Sequence, residues 1–363
     1  MRVRKTSDLV SNRETLRAVA LRYANDSELG YARLKTRAGF SYHDPNGKRI
    51  TDAATLCRIE CLHIPPAWEH VWICADEGGH LQATGRDSRG RKQYRYHDRW
   101  RAMRDEHKFG TMIEFGRRLP MLRLEVDREL RRRELDRRLV TALVVGVLDR
   151  TLLRVGNTEY RRDYQSYGLT TLEDDHAELR GNTVVLRFQG KSGQHQEVSL
   201  NDGRLMRLLK RCQELPGQEL FQYADASGML HPISSGDVNA FLEAAFQAPF
   251  TSKDFRTWGA TAQAVASLQA LPEPSSAHET ERNVVEAVKA AASRLGNTPA
   301  VCRRSYIHPL VIRAYREGCF AELWDAAATC ELECKGLLPE ELRLLALLEA
   351  LENQPDDRAP QGQ

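Results

Sequence analysis

The sequence has no long hydrophobic run. Its longest nearly uninterrupted apolar stretch spans residues 140–148, which is too short for a membrane-spanning helix of about 20 residues. Basic residues occur within residues 1–20, but no continuous apolar segment follows them, so no secretory signal is evident. These absences predict a soluble protein that is not exported, and we expect it in the cytoplasm.

The eight cysteines do not form the pattern of a disulfide framework. Cys57 and Cys61, like Cys330 and Cys334, stand four residues apart in stretches with helical patterning. Zinc sites usually use closer pairs with further His or Cys ligands nearby, and none follow these pairs. The pattern therefore favours reduced, partly buried thiols. The sequence also lacks a Gly-rich phosphate loop ending in Lys-Ser or Lys-Thr and an acidic metal-binding cluster, so we expect no cofactor and no metal.

The chain has an ordinary globular composition with an uneven distribution of charge. Its 363 residues, 41% hydrophobic and 28% charged, are enough for two domains with separate cores. Residues 1–140 carry 30 Lys and Arg against 20 Asp and Glu, whereas residues 141–363 carry 23 against 30. A basic front part is typical of a protein that binds a polyanion, although charge runs are more often solvated faces.

Residues 30–96 have the short, alternating and turn-rich pattern of β-strands. The Asp-Pro-Asn-Gly segment at residues 44–47 and the Glu-Gly-Gly segment at residues 77–79 are strong turn signals. Residues 52–62 have the pattern of a short helix, which Pro65 and Pro66 prevent from continuing. These patterns therefore predict a mainly β domain over residues 1–97.

After residue 97 the apolar spacing changes to three and four, which predicts a larger and mainly helical domain over residues 98–363. The predicted helices cover residues 99–118, 122–153, 204–214, 236–247, 254–270, 280–295 and 309–334. One β-hairpin interrupts them, with Lys191 at its tip between two strand-like runs. Residues 353–363 have the composition of a frayed tail. The predicted fold class is α+β.

Five residues of this helical part have side chains that could carry chemistry. They are Arg154, before an expected helix end at Gly156, Lys191 on the hairpin, Arg256 at the start of a helical run, and Asn297 and Tyr306 in the segment Gly-Asn-Thr-Pro-Ala-Val-Cys-Arg-Arg-Ser-Tyr. Each alone has an ordinary structural explanation. A core tyrosine, a helix-capping arginine, a solvated lysine or a surface ion pair would account for them one by one.

Together, these residues resemble the type IB DNA topoisomerases, specifically the poxvirus and bacterial branch. That family has, in this order, Arg, Lys on a β-hairpin, Arg, His or a substitute, and Tyr, and its closing segment is similar to residues 296–306. Residues 62–68, 80–87 and 90–97 resemble the family's N-terminal β domain. The resemblance covers roughly residues 30–315 and both predicted domains.

The resemblance implies an enzyme that grips double-stranded DNA as a monomeric, C-shaped clamp and relaxes supercoils, in a bacterium in association with the nucleoid. Tyr306 would attack a phosphodiester and form a 3′-phosphotyrosyl link with a free 5′-hydroxyl. Arg154 and Arg256 would hold the phosphate oxygens with planar, permanently charged donors. Lys191 would protonate the departing 5′-oxygen. With these cations in place no metal would be required, and because the ester keeps the bond energy no ATP would be required either.

Asn297 departs from the common pattern, because family members often have His at this position. An asparagine amide can still donate a hydrogen bond to a phosphate oxygen but carries no positive charge. We therefore expect the donor role to survive with a slower chemical step. His308 lies outside the motif position and is not expected to replace it.

Candidate DNA contacts cluster in the last strand of the β domain. A glutamine amide can pair with a base edge, phenols can reach phosphates or bases, and basic side chains neutralise phosphates. The candidates are Arg91, Lys92, Gln93, Tyr94 and Tyr96. An exposed strand with aromatic packing is the structural alternative.

Two other functions share part of this pattern. A tyrosine recombinase uses the same Arg, Lys, Arg and Tyr chemistry, but it usually has His-x-x-Arg where this chain has Lys253-Asp-Phe-Arg256, and its front domain is typically helical. A non-catalytic DNA-binding protein with a decayed site is the second alternative. The intact Tyr306 and its three predicted cationic partners argue against a decayed site, whereas Asn297 leaves this alternative open.

Overall fold

The computed structural model of the protein describes residues 16–328 and 336–353. The chain forms two compact units, Met1–Lys108 and Phe109–Gln363. The predicted domain boundary at residue 97 lies directly before a helix, Asp98–Gly110, and the two units divide near the end of that helix.

The first unit is built on an antiparallel five-stranded sheet. Its strands are β1 (Gly30–Thr36), β2 (Gly39–His43), β3 (Glu69–Cys74), β4 (Leu81–Arg86) and β5 (Lys92–Tyr96), in the spatial order β2-β1-β3-β4-β5. Helix α1 (Ala53–Cys61) covers one face, and its buried Ile59 packs with Val71, Ile73 and Ala83. The side chain of Asp52 caps α1 by accepting from the Thr55 amide at 2.8 Å. The predicted β-rich front part with one short helix is confirmed.

The second unit is mostly helical. After α2 (Asp98–Gly110), its helices are α3 (Met112–Glu129), α4 (Arg137–Thr151), α5 (Thr158–Tyr164), α6 (Gly203–Gln213), α7 (Ser235–Phe246), α8 (Ser252–Ala270), α9 (Ala277–Leu295), α10 (Pro299–Ser305), α11 (Pro309–Glu317), α12 (Phe320–Ala328) and α13 (Pro339–Glu352). Strands β6 (Ala177–Arg180), β7 (Thr183–Gln189) and β8 (His195–Asn201) form an antiparallel sheet. Strands β9 (Gln222–Ala224) and β10 (Leu230–Pro232) form a short pair. The predicted α+β class and the hairpin are confirmed.

Helix α4 is the central helix of this unit. Residues 139–148 are buried at every position, which explains why this stretch is the longest apolar run of the sequence. A helix that is apolar all round is one that other elements surround. Helices α3 and α7 pack on it, and α8 packs next to it. The ends of α4 and α8 therefore occupy fixed positions relative to each other.

Several predicted helix boundaries were wrong. The sequence placed a break around Pro120, but α3 runs through it, and the break lies at Thr111 instead. A proline inside a helix costs about 3 kcal/mol, and here Pro120 is buried in tertiary packing that outweighs this cost. The predicted helix over residues 122–153 is interrupted at residues 130–136, where the Asp136 side chain begins α4 by accepting from the Leu139 amide at 2.9 Å.

The predicted helix over residues 309–334 ends at Glu317, because Gly318 adopts a left-handed conformation with φ 79°. Helix α12 follows, and residues 329–334 lie outside the described part of the chain. Helices α5, α10 and α13 and the β9–β10 pair had not been predicted.

The described cysteines are free thiols. Cys57 and Cys61 lie on α1, as predicted, but both are exposed and not partly buried. Cys330 and Cys334 lie outside the described residues. Across residues 16–328 and 336–353, no helix combines the length and apolar character needed to cross a membrane.

Candidate active site

Arg154 lies in a segment without regular secondary structure, directly after α4. The predicted helix end at Gly156 was wrong: α4 ends at Thr151, and Leu152 turns the chain with a left-handed φ of 58°. The carbonyl of Arg154 accepts the Leu169 amide at 2.9 Å. Gly168 makes this close approach possible, because a Cβ there would lie 2.6 Å from that carbonyl oxygen. The backbone of Arg154 is thus fixed by pairing with a second segment.

Lys191 lies, as predicted, at the tip of the β7–β8 hairpin. It begins a short 3₁₀ turn, Lys191–Gly193, and its side chain is exposed. The Gly190 amide donates to the Gln194 carbonyl at 2.7 Å and closes the turn. The Tyr167 amide donates to the Gln189 carbonyl at 2.9 Å. The hairpin therefore reaches the segment that follows α5.

Arg256 is buried, with 3% of its surface exposed. The alternative of a surface ion pair with Asp254 is therefore wrong, and the Asp254 carboxylate instead caps α8 by accepting the Thr251 amide at 2.7 Å. The Arg256 guanidinium donates to two main-chain carbonyls, that of Leu152 and, at 3.0 Å, that of Leu295. These bonds join α8 to the ends of α4 and α9.

Asn297 stands in the tight turn between α9 and α10. Gly296 ends α9 in a left-handed conformation with φ 57°, and the Asn297 amide donates to the Ala292 carbonyl at 2.9 Å. The Asn297 Oδ1 atom accepts a hydrogen bond from Nη2 of Arg154. Its Nδ2 atom is buried and has no acceptor among the described residues. Buried donors are rarely left unpaired, so this amide can donate to a ligand.

Tyr306 forms the C-cap of α10. Its amide donates to the carbonyl of the buried Cys302 at 2.9 Å, and Pro299 begins the helix after the Thr298 cap. The guanidinium carbon of Arg256 lies 5.2 Å from the centre of the Tyr306 ring. The structure thus brings a phenol, two guanidinium groups and an asparagine amide into one cluster.

Sequence reasoning missed Thr261, which anchors the Tyr306 segment to α8. Its hydroxyl, fully buried, shares its proton between the carbonyls of Thr257 at 2.9 Å and Tyr306 at 3.2 Å. Its oxygen accepts the His308 amide at 3.1 Å. A threonine inside a helix carries no local signal for such a contact, so only the folded chain shows it.

His308 serves the local structure, consistent with its position outside the motif. It is 3% exposed and packs its ring edge-to-face on Phe109, with the ring centres 5.3 Å apart. Its Nδ1 atom accepts the Leu310 amide at 3.3 Å and so caps α11.

The charges around Tyr306 favour its ionised form. Burial by itself would raise the pKa of the phenol, but the charge of Arg256 and its hydrogen bond to the phenol, followed by the charges of Arg154 and Lys191, outweigh burial and lower the pKa. Lys191 is therefore near enough to act on the phenol electrostatically. Burial, together with the neighbouring Arg256 charge, lowers the pKa of Arg154 to about 10, so this guanidinium stays protonated at neutral pH.

Four of the candidate DNA-contact residues lie on the edge strand β5 of the first unit, and Arg91 stands directly before it. Lys92, Tyr94 and Tyr96 alternate along one exposed face, with Tyr94 48% exposed. The two tyrosine rings stack with their centres 6.1 Å apart and an angle of 13° between their planes. The Lys92 ammonium lies 5.7 Å from the Tyr94 ring centre and pairs with the Asp26 carboxylate at 2.5 Å, so the face presents two flat aromatic rings beside an ion pair.

Arg91 and Gln93 are held by one carboxylate. Arg91 Nη2 pairs with Asp87 Oδ2 at 2.7 Å, and Gln93 Nε2 donates to the same oxygen at 2.9 Å. Gln93 alternates with the tyrosines and therefore lies on the other face of the strand. The structure does not place the five candidates on a single surface.

Comparison with known proteins is consistent with this arrangement. Residues 97–324 match the family model described as the catalytic core of eukaryotic DNA topoisomerase I. Residues 39–87 match the N-terminal domain of bacterial DNA topoisomerase IB. The two matches follow each other in the order of the two units.

Named relatives agree with the family models. The chain is 30% identical over 282 residues to DNA topoisomerase 1B of Acanthamoeba polyphaga mimivirus, covering 76% of this chain and 84% of the relative. It is 22% identical over 248 residues to DNA topoisomerase 1B of Vaccinia virus (strain Copenhagen), covering 66% of this chain and 74% of the relative. With DNA topoisomerase 1 of rabbit fibroma virus, it shares 24% over 238 residues.

The sheet unit, the helical unit and these matches define a DNA topoisomerase, an isomerase whose partner is DNA. The chain belongs to the type IB DNA topoisomerase family. The family membership decides against the tyrosine recombinase alternative.

Proposed function

We propose that this chain relaxes supercoiled duplex DNA by opening one strand, holding it as an ester of Tyr306, and resealing it. The observation that carries the proposal is the half-buried phenol of Tyr306, whose pKa is lowered by surrounding cations against the effect of burial. A phenol is a weak nucleophile until it loses its proton, and nearby positive charge favours that loss.

In the cleavage step, the phenol gives its proton to water and its oxygen attacks the scissile phosphorus. A bond forms between phosphorus and the Tyr306 oxygen, and the bond from phosphorus to the 5′-oxygen breaks. The departing 5′-oxygen takes a proton from the Lys191 ammonium, which leaves a 3′-phosphotyrosyl link and a free 5′-hydroxyl. Religation is the reverse, with the 5′-hydroxyl returning its proton to Lys191.

Fixed hydrogen-bond donors stabilise the charge that develops on the non-bridging phosphate oxygens. Arg154 and Arg256 remain positively charged and are held by hydrogen bonds before the substrate arrives. The unpaired Nδ2 of Asn297 supplies a neutral donor. We propose that these groups suffice without a required metal ion, and that the ester conserves the bond so that no ATP is consumed.

Between the two chemical steps, the free 5′ end rotates around the intact strand and releases supercoils. The exposed face of Lys92, Tyr94 and Tyr96 is suited to contact DNA outside the cleaved phosphate. We propose that the protein works as a monomer on chromosomal DNA in the cytoplasm, which is consistent with the bacterial type of its N-terminal domain.

The test is relaxation of a negatively supercoiled plasmid in EDTA without ATP, with the full chain. The wild type should convert the plasmid to relaxed topoisomers, and Tyr306→Phe should not. Tyr315→Phe is the matched control, because this buried tyrosine hydrogen-bonds Asn283 and lies outside the site. Unchanged plasmid with the wild type would contradict the proposal. Products that join two duplexes would indicate recombinase activity instead.

A further inference from the structure

Helix α13 lies beyond the residues that match the catalytic-core family model, which end at residue 324. It is nevertheless part of the core of the helical unit. Its leucines at positions 344, 345, 347, 348 and 351 are all buried. The helix packs on α3, α8, α11 and α12. An element so deeply packed can influence where the other helices stand.

Its first turn carries Glu341, which is 8% exposed and binds Arg123 of α3 through both carboxylate oxygens, at 2.6 and 2.9 Å. Arg123 also donates to the Asp149 carboxylate of α4 at 2.9 and 3.1 Å. One arginine with two carboxylates therefore joins three helices. Replacing such a buried ionic group by apolar residues often leaves stability unchanged, whereas its directional bonds fix one geometry.

Glu341 also reaches α8. Its Oε1 atom accepts a hydrogen bond from Nε1 of Trp258 at 3.3 Å. The Trp258 ring is 3% exposed and packs on Gly116, where an added Cβ would lie 2.6 Å from the ring. Trp258 stands two residues after Arg256 in α8. The contact therefore limits sliding and rotation of the helical turn that carries Arg256.

The same network reaches the acceptor of Arg256. Asp149 lies one helical turn before Leu152, whose carbonyl accepts from Arg256. The Leu152 side chain packs against Gly259, where an added Cβ would lie 2.2 Å from Leu152 Cδ1. Arg154 follows two residues after Leu152. Glu341 is thus tied both to the helix of Arg256 and to the helix end that precedes Arg154.

We propose that Glu341 is a positioning residue of the strand-cleavage reaction, holding Arg256 and Arg154 in their relative places through Trp258, Arg123 and Asp149. This inference rests on the proposed function, since it assumes that the two arginines hold the scissile phosphate. Glu341 touches neither the phosphate nor Tyr306. Misplacing a catalytic group by about 1 Å can slow a reaction about 100-fold.

The test measures single-turnover cleavage of an oligonucleotide duplex, and DNA affinity separately, with full-length variants. Glu341→Ala should slow cleavage about 10- to 100-fold with DNA affinity within about twofold, because it removes no DNA contact. Glu341→Gln keeps an acceptor for Trp258 and should restore part of the rate. Glu349→Ala is the matched control, because Glu349 also joins α13 to α3, through a peripheral ion pair with Arg117 at 2.8 Å, and it should cleave like the wild type.

A second substrate separates positioning from a general loss of structure. A duplex with a neutral methylphosphonate at the scissile position has less charge for the arginines to offset. The fold-reduction in cleavage rate caused by Glu341→Ala should be smaller on this substrate than on the ordinary duplex. A partly unfolded variant would instead show the same fold-reduction on both substrates. Equal factors, or wild-type cleavage by Glu341→Ala, would overturn the proposal.

If Glu341→Ala does not fold, Trp258→Phe carries the test. It removes the indole donor, keeps an aromatic ring, and should slow cleavage about tenfold. Wild-type cleavage by Trp258→Phe would then overturn the inference. If the wild-type protein itself cleaved neither substrate, the proposed function would have failed instead.

Discussion

The carbonyl oxygen of Leu152 accepts a hydrogen bond from the guanidinium of Arg256, across 104 residues of sequence. Leu152 is the C-cap of α4 and stands two residues before Arg154, so this bond links the two segments that carry the arginines. A second bond from Arg256 to the Leu295 carbonyl, at 3.0 Å, adds the end of α9, two residues before Asn297. Arg256 therefore organises the site as well as contributing its charge.

The pKa of Tyr306 should depend most on the nearby cation that acts on it most strongly. Burial is outweighed by Arg256 and then by Arg154 and Lys191, so the pKa of the phenol should lie below the ordinary value of about 10. Arg256→Ala should raise this pKa more than Lys191→Ala does. NMR titration of tyrosine labelled at the ring carbon next to the hydroxyl, with Tyr306→Phe to assign the signal, measures it. An unshifted Tyr306 would contradict the electrostatic argument.

The lowered pKa of Tyr306 should also make the free energy of unfolding depend on pH. The folded protein holds the phenolate more favourably than the unfolded chain does. The contribution of Tyr306 to the free energy of unfolding therefore grows as the pH rises through the folded pKa towards the unfolded one, and it is lost as the pH falls again. In alkaline urea denaturation, Tyr306→Phe should lack this gain.

Asn297→His should retain or raise the cleavage rate. Either side chain can donate a hydrogen bond to a phosphate oxygen, and a protonated imidazole adds positive charge. Asn297→Asp is the matched control of equal size: it replaces the donor with a negative charge, and removal of a donor of this kind slows reactions about 100-fold or more. Single-turnover cleavage measures both. Complete loss of activity in Asn297→His would mean that Asn297 has another role.

Thr261→Val should lower both stability and the cleavage rate. It leaves the Tyr306 carbonyl and the His308 amide without their partner, which costs about 1–3 kcal/mol per buried group. Thr141→Val is the control, because within the described part of the chain that buried hydroxyl bonds only the carbonyl one turn earlier in its own helix, at 2.7 Å. Thermal unfolding and single-turnover cleavage together test the expectation. If the Thr261→Val protein cleaves like Thr141→Val, Thr261 has no role in positioning the site.

Gly296→Ala should slow cleavage because it displaces Gln196. Gln196 lies on β8 of the Lys191 hairpin, and a Cβ at Gly296 would stand 2.5 Å from its Nε2 atom. Gly181→Ala is the matched control: its φ of 58° is almost the same as the 57° of Gly296, and no atom of the described residues lies within 4 Å of its Cβ position. Both variants should lose about 1–2 kcal/mol of stability, but only Gly296→Ala should cleave slowly. Equal rates would show that Gln196 does not position the hairpin.

The sequence predicted those parts of the fold that local patterns determine. Strand alternation and a Gly-flanked turn placed Lys191 at a hairpin tip, and the turn signals separated the strands of the first unit. The break predicted between residues 118 and 122 was wrong, because tertiary packing inside α3 outweighs the local cost of Pro120. Propensity describes a residue with its neighbours in sequence, and burial of this kind comes from elsewhere in the chain.

Long-range contacts of the site were beyond sequence reasoning for the same reason. The motif order identified the residues around Tyr306. No local sequence pattern near Arg256 predicts its burial or its bonds to Leu152 and Leu295. Glu341 resembles an ordinary acidic residue in the first turn of a helix. Only the folded chain brings it to Arg123 and Trp258.

Identifying the residue that becomes covalently attached to DNA tests the account most directly. The wild-type protein is incubated with a duplex whose short 5′-leaving strand diffuses away after cleavage, so that the covalent complex accumulates. After denaturation and protease digestion, mass spectrometry should find a single peptide linked through Tyr306 to a 3′-phosphate. Tyr306→Phe should bind the duplex with unchanged affinity and give no adduct. An adduct on another residue, or one of normal yield in Tyr306→Phe, would contradict the central claim.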